Sequence, residues 1–258
     1  MARLTVGSSA ELRTLLPSLP REDHLVHYRA NRIKTREIES FITELQIVFE
    51  EQIYAFHSTC PSPVIFDCGG HIGSALIYFK QKYPQAQVTV FEANPIALEY
   101  LHENIRLNRL EHVDVVEHPL FSARVPVEFV VDIADGGCIE GLGCVSGEKI
   151  TVEAVLLSDY LKDRHVDMLK MNIEGAECAV LKEAAAYLKN VDRLVLEYHG
   201  FSKTEQHLHQ ILTVLDDQGF QYVINSFPRN INGNAWPPFR ISDFWFSLVY
   251  AEKRGLIP

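Results

Sequence analysis

The sequence predicts an α/β fold built around a mainly parallel sheet, and three observations support this prediction. From Pro61 onward, apolar strand-like runs alternate with helix-like stretches, a pattern typical of right-handed β–α–β crossovers. A glycine-rich turn follows the first apolar run, and an acidic residue ends the second. The turn and the acid are typical of a nucleoside site at the edge of such a sheet.

Residues 1–60 carry no nucleotide-like motif, and they are predicted to form an N-terminal helical extension ahead of a second unit at 61–258. Residues 37–56 place apolar side chains at helical spacing, and a second helix is predicted over 10–16. Packing against the main unit is the simplest role for this extension. Covering a substrate mouth and forming a homodimer contact are alternatives. The densest basic stretch, residues 29–36, predicts a solvated helix face.

The second unit is predicted to contain strands and helices in alternation, with the last two strands antiparallel because a loop joins them. The predicted strands are 64–67, 88–92, 113–117, 127–132, 150–155, 167–173, 192–198, 220–225 and 243–250. The predicted helices are 73–83, 95–108, 156–163, 176–189 and 203–218.

The glycine turn and the acid that follows it predict the shape of a cofactor pocket. Asp67 ends the first strand and precedes Gly69, Gly70 and Gly73, which allow a sharp turn and a close backbone approach to a ligand. Glu92 ends the next strand, where a carboxylate can accept hydrogen bonds from the hydroxyls of a ribose.

The order of residues in the turn bears on which nucleoside binds. Dinucleotide folds use G-x-G-x-x-G against a pyrophosphate, whereas this chain has D-x-G-G-x-x-G. The carboxylate of Asp67 would repel a pyrophosphate and would suit the cationic ammonium of S-adenosylmethionine. An NAD-type oxidoreductase remains an alternative, as does a strand-to-helix turn whose glycines serve packing alone.

A second group of polar residues follows two later strands. Asn172 ends one predicted strand, and Glu197 and His199 end the next. The carboxyl ends of parallel strands form the ligand crevice of open α/β sheets. His199 is the preferred general base, because the unperturbed pKa of histidine, about 6.5, suits proton transfer near neutral pH. Glu197 either orients His199 or is itself the base. A buried structural Glu–His pair is an alternative. A divalent metal on these three residues is less favoured, because magnesium prefers oxygen-rich sites.

Five motifs resemble those of the FkbM-type S-adenosylmethionine-dependent methyltransferases. They are D-C-G-G-H-I-G (67–73), F-E-A-N-P (91–95), H-E-N-I-R-L-N (102–108), L-K-M-N-I-E-G-A-E (169–177) and L-E-Y-H-G (196–200). The resemblance covers about residues 62–200. The family pattern usually has aspartate where Asn172 stands. Because of this difference, a catalytically weak module that binds the cofactor remains an alternative function.

The resemblance implies a fold, an activity and a set of roles. The fold is the Rossmann-like class I methyltransferase, with a seven-stranded, mostly parallel sheet and an antiparallel last strand. The activity is O-methylation of a hydroxyl on a small natural product or sugar, which releases S-adenosylhomocysteine. The residues implied to line the cofactor pocket are Asp67, Gly69, Gly70, His71 and Gly73 at the methionine end, Glu92 at the ribose, and Asn94 and His118 near the adenosine.

The composition of the chain restricts its possible binding partners and its cellular compartment. The 258 residues carry a formal net charge of -10, which argues against a nucleic-acid substrate. No apolar run approaches the length of a membrane helix, and the first residues lack the apolar core of a secretory signal. The five cysteines show no zinc-ligand spacing, so reduced thiols and a cytoplasmic location are expected.

Overall fold

The computed structural model describes residues 2–131, 137–142, 147–201, 205–226 and 244–256. Its strands are β1 (Ala2–Val6), β2 (His24–Tyr28), β3 (Asn31–Thr35), β4 (Val64–Cys68), β5 (Gln87–Phe91), β6 (Val113–Val116), β7 (Pro126–Val131), β8 (Cys138–Ile139), β9 (Glu148–Glu153), β10 (Met168–Met171), β11 (Arg193–Phe201), β12 (Phe220–Ser226) and β13 (Phe244–Lys253). Its α-helices are α1 (Ser9–Leu15), α2 (Ile38–Glu44), α3 (Ser74–Lys82), α4 (Pro95–Asn108), α5 (Leu157–Leu161), α6 (Glu177–Ala184) and α7 (Leu208–Asp217).

The central sheet contains seven strands in the order β12-β13-β11-β10-β4-β5-β6. The strands β6, β5, β4, β10 and β11 pair in parallel, and β13 runs antiparallel to both β11 and β12. The predicted fold class is therefore confirmed, including the antiparallel last strand. Residues 203 and 204 of the predicted helix 203–218, residue 132 of the predicted strand 127–132 and residue 243 of the predicted last strand lie outside the described residues.

Two of the predicted strands, β7 and β9, lie outside the central sheet. They pair antiparallel with each other, and β8 pairs with β7 to complete a separate three-stranded sheet. The expectation that these strands continue the parallel alternation is wrong. Parallel pairing needs a long crossover, usually a helix, and the sequence predicts no helix between 132 and 148.

The extension contains the two predicted helices and a sheet that was not predicted. α2 continues into a π-helical segment, Leu45–Glu50, so the helix ends six residues before the predicted end at 56. The strands β1, β2 and β3 form a three-stranded sheet, so the extension is mixed α/β rather than helical alone. The basic stretch 29–36 lies on the β2–β3 turn and on β3, and the prediction of a helix face there is wrong.

The two asparagines of the H-E-N-I-R-L-N motif attach this extension to the main sheet. Asn104 and Asn108 lie one helical turn apart on α4. Their carboxamides accept hydrogen bonds from the backbone of Lys34 (2.6 Å) and Arg32 (2.9 Å) and donate back to the same residues' carbonyls (3.0 and 2.7 Å). Asn104 also donates to the carbonyl of Ile72 in the glycine turn, 2.8 Å away. The motif thus joins the extension to the turn.

Each face of the central sheet is covered by its own apolar cluster. On one face, α5, α6 and α7 contribute side chains to a cluster that includes Phe66 and Leu196. On the other face, α3, α4 and the extension surround Ile65 and Val195. The apolar side of α2 and of the π-helical segment, including Phe41 and Phe49, is fully buried in this second cluster. The extension therefore packs on the main sheet, as expected.

The structure also bears on the expectations about the cysteines and about membrane-spanning helices. Cys60, Cys68 and Cys178 are free thiols, as expected, but Cys138 is disulfide-bonded, so the expectation of reduced cysteines is wrong for that residue. None of the helices in the described residues is both long and apolar enough to cross a bilayer.

Candidate active site

The strand register brings most of the predicted polar residues to one face of the sheet. Asp67 pairs in register with Lys170 on one side and with Val90 on the other, and Met171 pairs with Leu196. Residues in register point to the same face, and successive residues alternate between faces. Asp67, Glu92, Lys170, Asn172, Glu197 and His199 therefore share the face that the extension covers.

Asp67 is completely buried beneath the glycine turn and is paired with a cation that the sequence analysis did not identify. Lys170 Nζ lies 3.0 Å from Asp67 Oδ1 and donates a hydrogen bond to the carbonyl of Gly69 at 2.5 Å. Burial raises the pKa of Asp67, and Lys170 opposes this effect. Asp67 therefore supports the turn from behind, and its charge is compensated within the chain.

The structure shows the glycines of the turn in close backbone packing. Gly69 has a φ of +85°, and a Cβ there would lie 1.7 Å from the carbonyl oxygen of Asn172. The N–H groups of Gly69 and Gly70 both donate to the carbonyl of Phe91, and that of Gly73 donates to Gly70. These three amides therefore already have backbone acceptors, and the close approach of this turn to a ligand stays a prediction.

Glu92 closes the turn. Its carboxylate accepts hydrogen bonds from the N–H groups of Ala93 (2.9 Å), Asn94 (2.8 Å) and His71 (2.7 Å). Burial raises the pKa of Glu92, and the backbone donors oppose that shift. One carboxylate oxygen accepts two of these bonds and the other accepts one, so the second oxygen keeps capacity for a ribose hydroxyl.

The two residues predicted near the adenosine differ in their surroundings. Asn94 is fully buried and caps α4, because its Oδ1 accepts from the N–H of Ile96 at 2.9 Å. His118 is exposed after β6, and its Nδ1 lies 2.9 Å from the carbonyl oxygen of Glu153. The role of either residue in adenosine binding stays a prediction.

Asn172 presents an unused acceptor at the strand end. Its N–H donates to the carbonyl of Cys68 at 2.9 Å, which continues the β10–β4 pairing by one residue. Its side-chain Oδ1 is buried and has no hydrogen-bond partner among the residues that the structure describes. A buried carbonyl-type oxygen without a donor is uncommon and favours a ligand or water that supplies one.

His199 lies between two carboxylates of the α6 turn. Its Nδ1 is 3.1 Å from Glu177 Oε1, and its Nε2 is 3.4 Å from Glu174 Oε2. Burial alone would lower the pKa of His199, but Glu174, Glu177 and Glu197 together raise it to about 10. At neutral pH only about one molecule in a thousand would then hold the neutral ring. This arrangement disfavours the predicted role of His199 as the general base.

The raised pKa gives a stability prediction. Because the pKa of His199 is raised on folding, its stabilising contribution is complete below about pH 6.5 and is lost as the pH rises through about 10. We expect His199→Gln to lower the free energy of unfolding by about 3 kcal/mol at pH 6. The deficit should shrink between pH 6.5 and 10. Denaturant unfolding across that range measures it, with the exposed His165→Gln as a control of small effect. A pH-independent deficit would contradict the assigned charge.

Glu197 is the second residue predicted to be catalytic, and it accepts a hydrogen bond from a residue of the extension. The hydroxyl of Tyr54 donates a short hydrogen bond to Glu197 Oε1, and both residues are buried. Burial and the nearby carboxylates, Glu197 first among them, raise the pKa of Tyr54 far above its usual value, so the phenol stays protonated. Tyr54 lies outside the motifs, and no sequence signal pointed to it. Lys170 had a signal, as a charge inside an apolar strand.

Two other features lie at the opposite edge of the sheet. A cleft of about 390 Å³, lined in part by Arg32 and Arg109, lies near the C-terminal ends of α3 and α4. Asp167 and Asp192 precede β10 and β11, and with His165 they form the only group of three metal-ligand side chains found among the described residues. Helices of β–α–β units end at the amino edge of the sheet, so neither feature adjoins the strand-end residues.

The strand-end residues fit a cationic nucleoside. Among the described residues, acidic side chains outnumber cations there, with Glu44, Glu92, Glu174, Glu177 and Glu197 near the turn and the strand ends. The oxygen of Asn172, which has no partner among the described residues, and the remaining capacity of Glu92 are acceptors for polar hydrogens of a ligand, with a ribose hydroxyl at Glu92. This donor and acceptor set suits S-adenosylmethionine better than a pyrophosphate.

The sheet order, the antiparallel β13 and the acidic strand ends define the class I methyltransferase fold. A family model described as the methyltransferase FkbM domain matches residues 67–222. That stretch exceeds half of the chain, and the chain belongs to this family of S-adenosylmethionine-dependent methyltransferases. The family assignment replaces the NAD-type oxidoreductase alternative.

Individual relatives are distant. "Methyltransferase sdnD" of Sordaria araneosa is 26% identical, with 80% of this chain and 90% of that protein covered. "2-O-methyltransferase NoeI" of Sinorhizobium fredii is 25% identical, with 68% and 79% covered. The structure of M. jannaschii TYW2 in complex with AdoMet has a TM-score of 0.50 at 18% identity, covering 91% of this chain and 88% of that chain, which shows the fold alone.

Proposed function

We propose that the protein is an O-methyltransferase acting on a hydroxyl of a small natural product or sugar. The observation that carries the proposal is the pair of oxygen acceptors on neighbouring strand ends. Asn172 Oδ1 lacks a partner among the described residues. Glu197, the residue after Leu196 on β11, lies on the same face of the sheet as Asn172. A hydroxyl acceptor needs one group to hold it and one group to take its proton.

The two residues divide these tasks. When bound, the cofactor supplies a methyl group on a cationic sulfur, which is a good leaving group. Asn172 Oδ1 orients the acceptor by accepting a hydrogen bond from a neighbouring polar group of the substrate, and Glu197 takes the proton of the reacting hydroxyl as its oxygen receives the methyl group. Tyr54 donates to Glu197 Oε1 and so leaves the other carboxylate oxygen for the acceptor. Because the proton leaves during displacement, a carboxylate is basic enough for this step.

His199 has a different role in this proposal. As an imidazolium between Glu174 and Glu177, it compensates negative charge beside the acceptor and fixes the strand-end turn. A divalent metal on Asn172, Glu197 and His199 is not part of the proposal, because both ring nitrogens of His199 face carboxylates.

The name of the relative NoeI supports O-methylation. The net charge of -10 supports a small molecule over nucleic acid. A cytoplasmic location and a homodimer through the N-terminal helices stay predictions.

A substrate panel tests the function. The protein would be incubated with labelled S-adenosylmethionine and a panel of hydroxylated small molecules and sugars, each paired with its deoxy analogue. We expect label and a mass gain of one methylene unit on a hydroxylated member, and none on its deoxy partner. Methylation of nitrogen or carbon alone would contradict O-methylation. Cofactor binding without any turnover would favour the catalytically weak module that the Asn172 departure leaves open.

A further inference from the structure

Glu44, the last residue of α2, contacts the glycine turn and lies outside the region that matches the family. Its Oε1 lies 2.6 Å from His71 Nδ1, and its Oε2 accepts a short hydrogen bond from the hydroxyl of Ser74, the first residue of α3. The family match begins at residue 67, so this contact joins the extension to the part of the chain that matches the family. The backbone changes from α to π immediately after Glu44. Such changes are rare and frequently occur at functional sites.

The turn that Glu44 contacts is held in a conformation that non-glycine residues seldom adopt. His71 has a φ of +49°, and its N–H donates to Glu92 Oε2 at 2.7 Å. Residues with positive φ persist only when their surroundings hold them. Glu44 holds the side chain of His71, and Glu92 holds its backbone. A chain of contacts thus runs from the extension through His71 to the carboxylate predicted to bind the ribose.

Glu44 is ionised where it contacts the turn. Burial opposes its ionised form, but His71, Ser74 and Lys170 outweigh that effect and lower the pKa of Glu44 below its usual value. Glu44 is therefore a carboxylate at neutral pH. The hydrogen bonds that it accepts from His71 and Ser74 are therefore charge-assisted, which makes them stronger than bonds between neutral groups.

We propose that Glu44 is a positioning residue for S-adenosylmethionine, and that the extension supplies this part of the cofactor site. Glu44 acts through His71 and Ser74, which fix the turn between β4 and α3. The proposal depends on the cofactor and not on the identity of the acceptor, so it can be tested without a substrate.

The test compares two carboxylates of the same helical region in the full chain. Glu44→Gln keeps the shape and removes the charge. Glu50→Gln is the matched control, because Glu50 also accepts two hydrogen bonds, from the N–H and the hydroxyl of Ser9 (2.7 and 2.6 Å), but faces α1. Calorimetric titration with S-adenosylhomocysteine gives the affinity, and thermal unfolding of the free protein gives the stability.

We expect Glu44→Gln to raise the Kd for S-adenosylhomocysteine at least about 10-fold, the size of one lost charge-assisted hydrogen bond. Glu50→Gln should leave that Kd unchanged while lowering the Tm. His71→Asn, which tolerates positive φ, should weaken binding similarly, and the double variant should lose little more.

Three outcomes would overturn the proposal. The first is a wild-type Kd in Glu44→Gln, and the second is an equal loss of affinity in Glu50→Gln. The third is full additivity of the Glu44 and His71 effects. A wild-type protein that fails to bind S-adenosylhomocysteine would overturn the cofactor assignment itself, which separates that failure from the first three.

Discussion

Glu197→Gln is expected to lower kcat by about 10²- to 10⁴-fold, the contribution of a positioned general base. The amide keeps the size of the side chain and can still accept the hydrogen bond from Tyr54, so the fold and the S-adenosylhomocysteine affinity should change little. Steady-state kinetics on an acceptor found in the hydroxyl panel, together with calorimetry, separate the two effects.

Two further variants make this prediction specific. Tyr54→Phe keeps the carboxylate and removes its donor, so we expect a smaller loss of kcat than in Glu197→Gln. Glu252→Gln alters a partly exposed carboxylate that pairs with Arg193 at the start of β11, and it should leave kcat unchanged. Full activity in Glu197→Gln would remove Glu197 as the base and leave the family assignment intact.

Lys170→Met is expected to lower the free energy of unfolding by about 3–5 kcal/mol, because it leaves the carboxylate of Asp67 buried without its cation. Both side chains of this pair are almost completely buried, at 0% and 4% exposure. The expected loss is therefore much larger than for a surface ion pair. Urea unfolding of the cofactor-free protein measures it.

The pH dependence and a double variant test the cause. Burial raises the pKa of Asp67, so the folded state binds a proton more readily than the unfolded chain. The penalty in Lys170→Met should therefore shrink as the pH falls through the pKa of Asp67. Adding Asp67→Asn should restore most of the lost stability at neutral pH. A double variant as unstable as Lys170→Met would show that packing, and not the uncompensated charge, causes the loss.

Much of the fold was predictable because the relevant signals are local. The α4 helix begins at Pro95 and ends at Asn108, as predicted, because a proline in the first turn and the apolar spacing mark it in sequence. In the extension, β2 escaped prediction because it is almost fully buried and lacks alternation, and β3 escaped it because its basic residues were interpreted as a helix face. The pairing of β7 with β9 depends on contacts that no local pattern encodes.

The site was predictable in position and less so in chemistry. The ends of β4, β5, β10 and β11 meet at one edge, and the motifs placed Glu92, Asn172, Glu197 and His199 there. The role of His199 was not predictable, because its pKa depends on Glu174 and Glu177, which approach it only after α6 packs beside β11.

Strand–helix alternation and the motifs are carried by neighbouring residues, so the strands of the central sheet, the glycine turn and the family could be predicted without the structure. Which buried charges are paired, and which hydrogen-bond acceptors stay available for a ligand, depends on contacts that form only in the folded chain. Lys170 neutralises Asp67, Tyr54 donates to Glu197, and Glu44 holds His71 across gaps of 27 to 143 residues. Energies of buried charges depend on distance and solvent exposure, and neither is encoded by the spacing of residues along the chain.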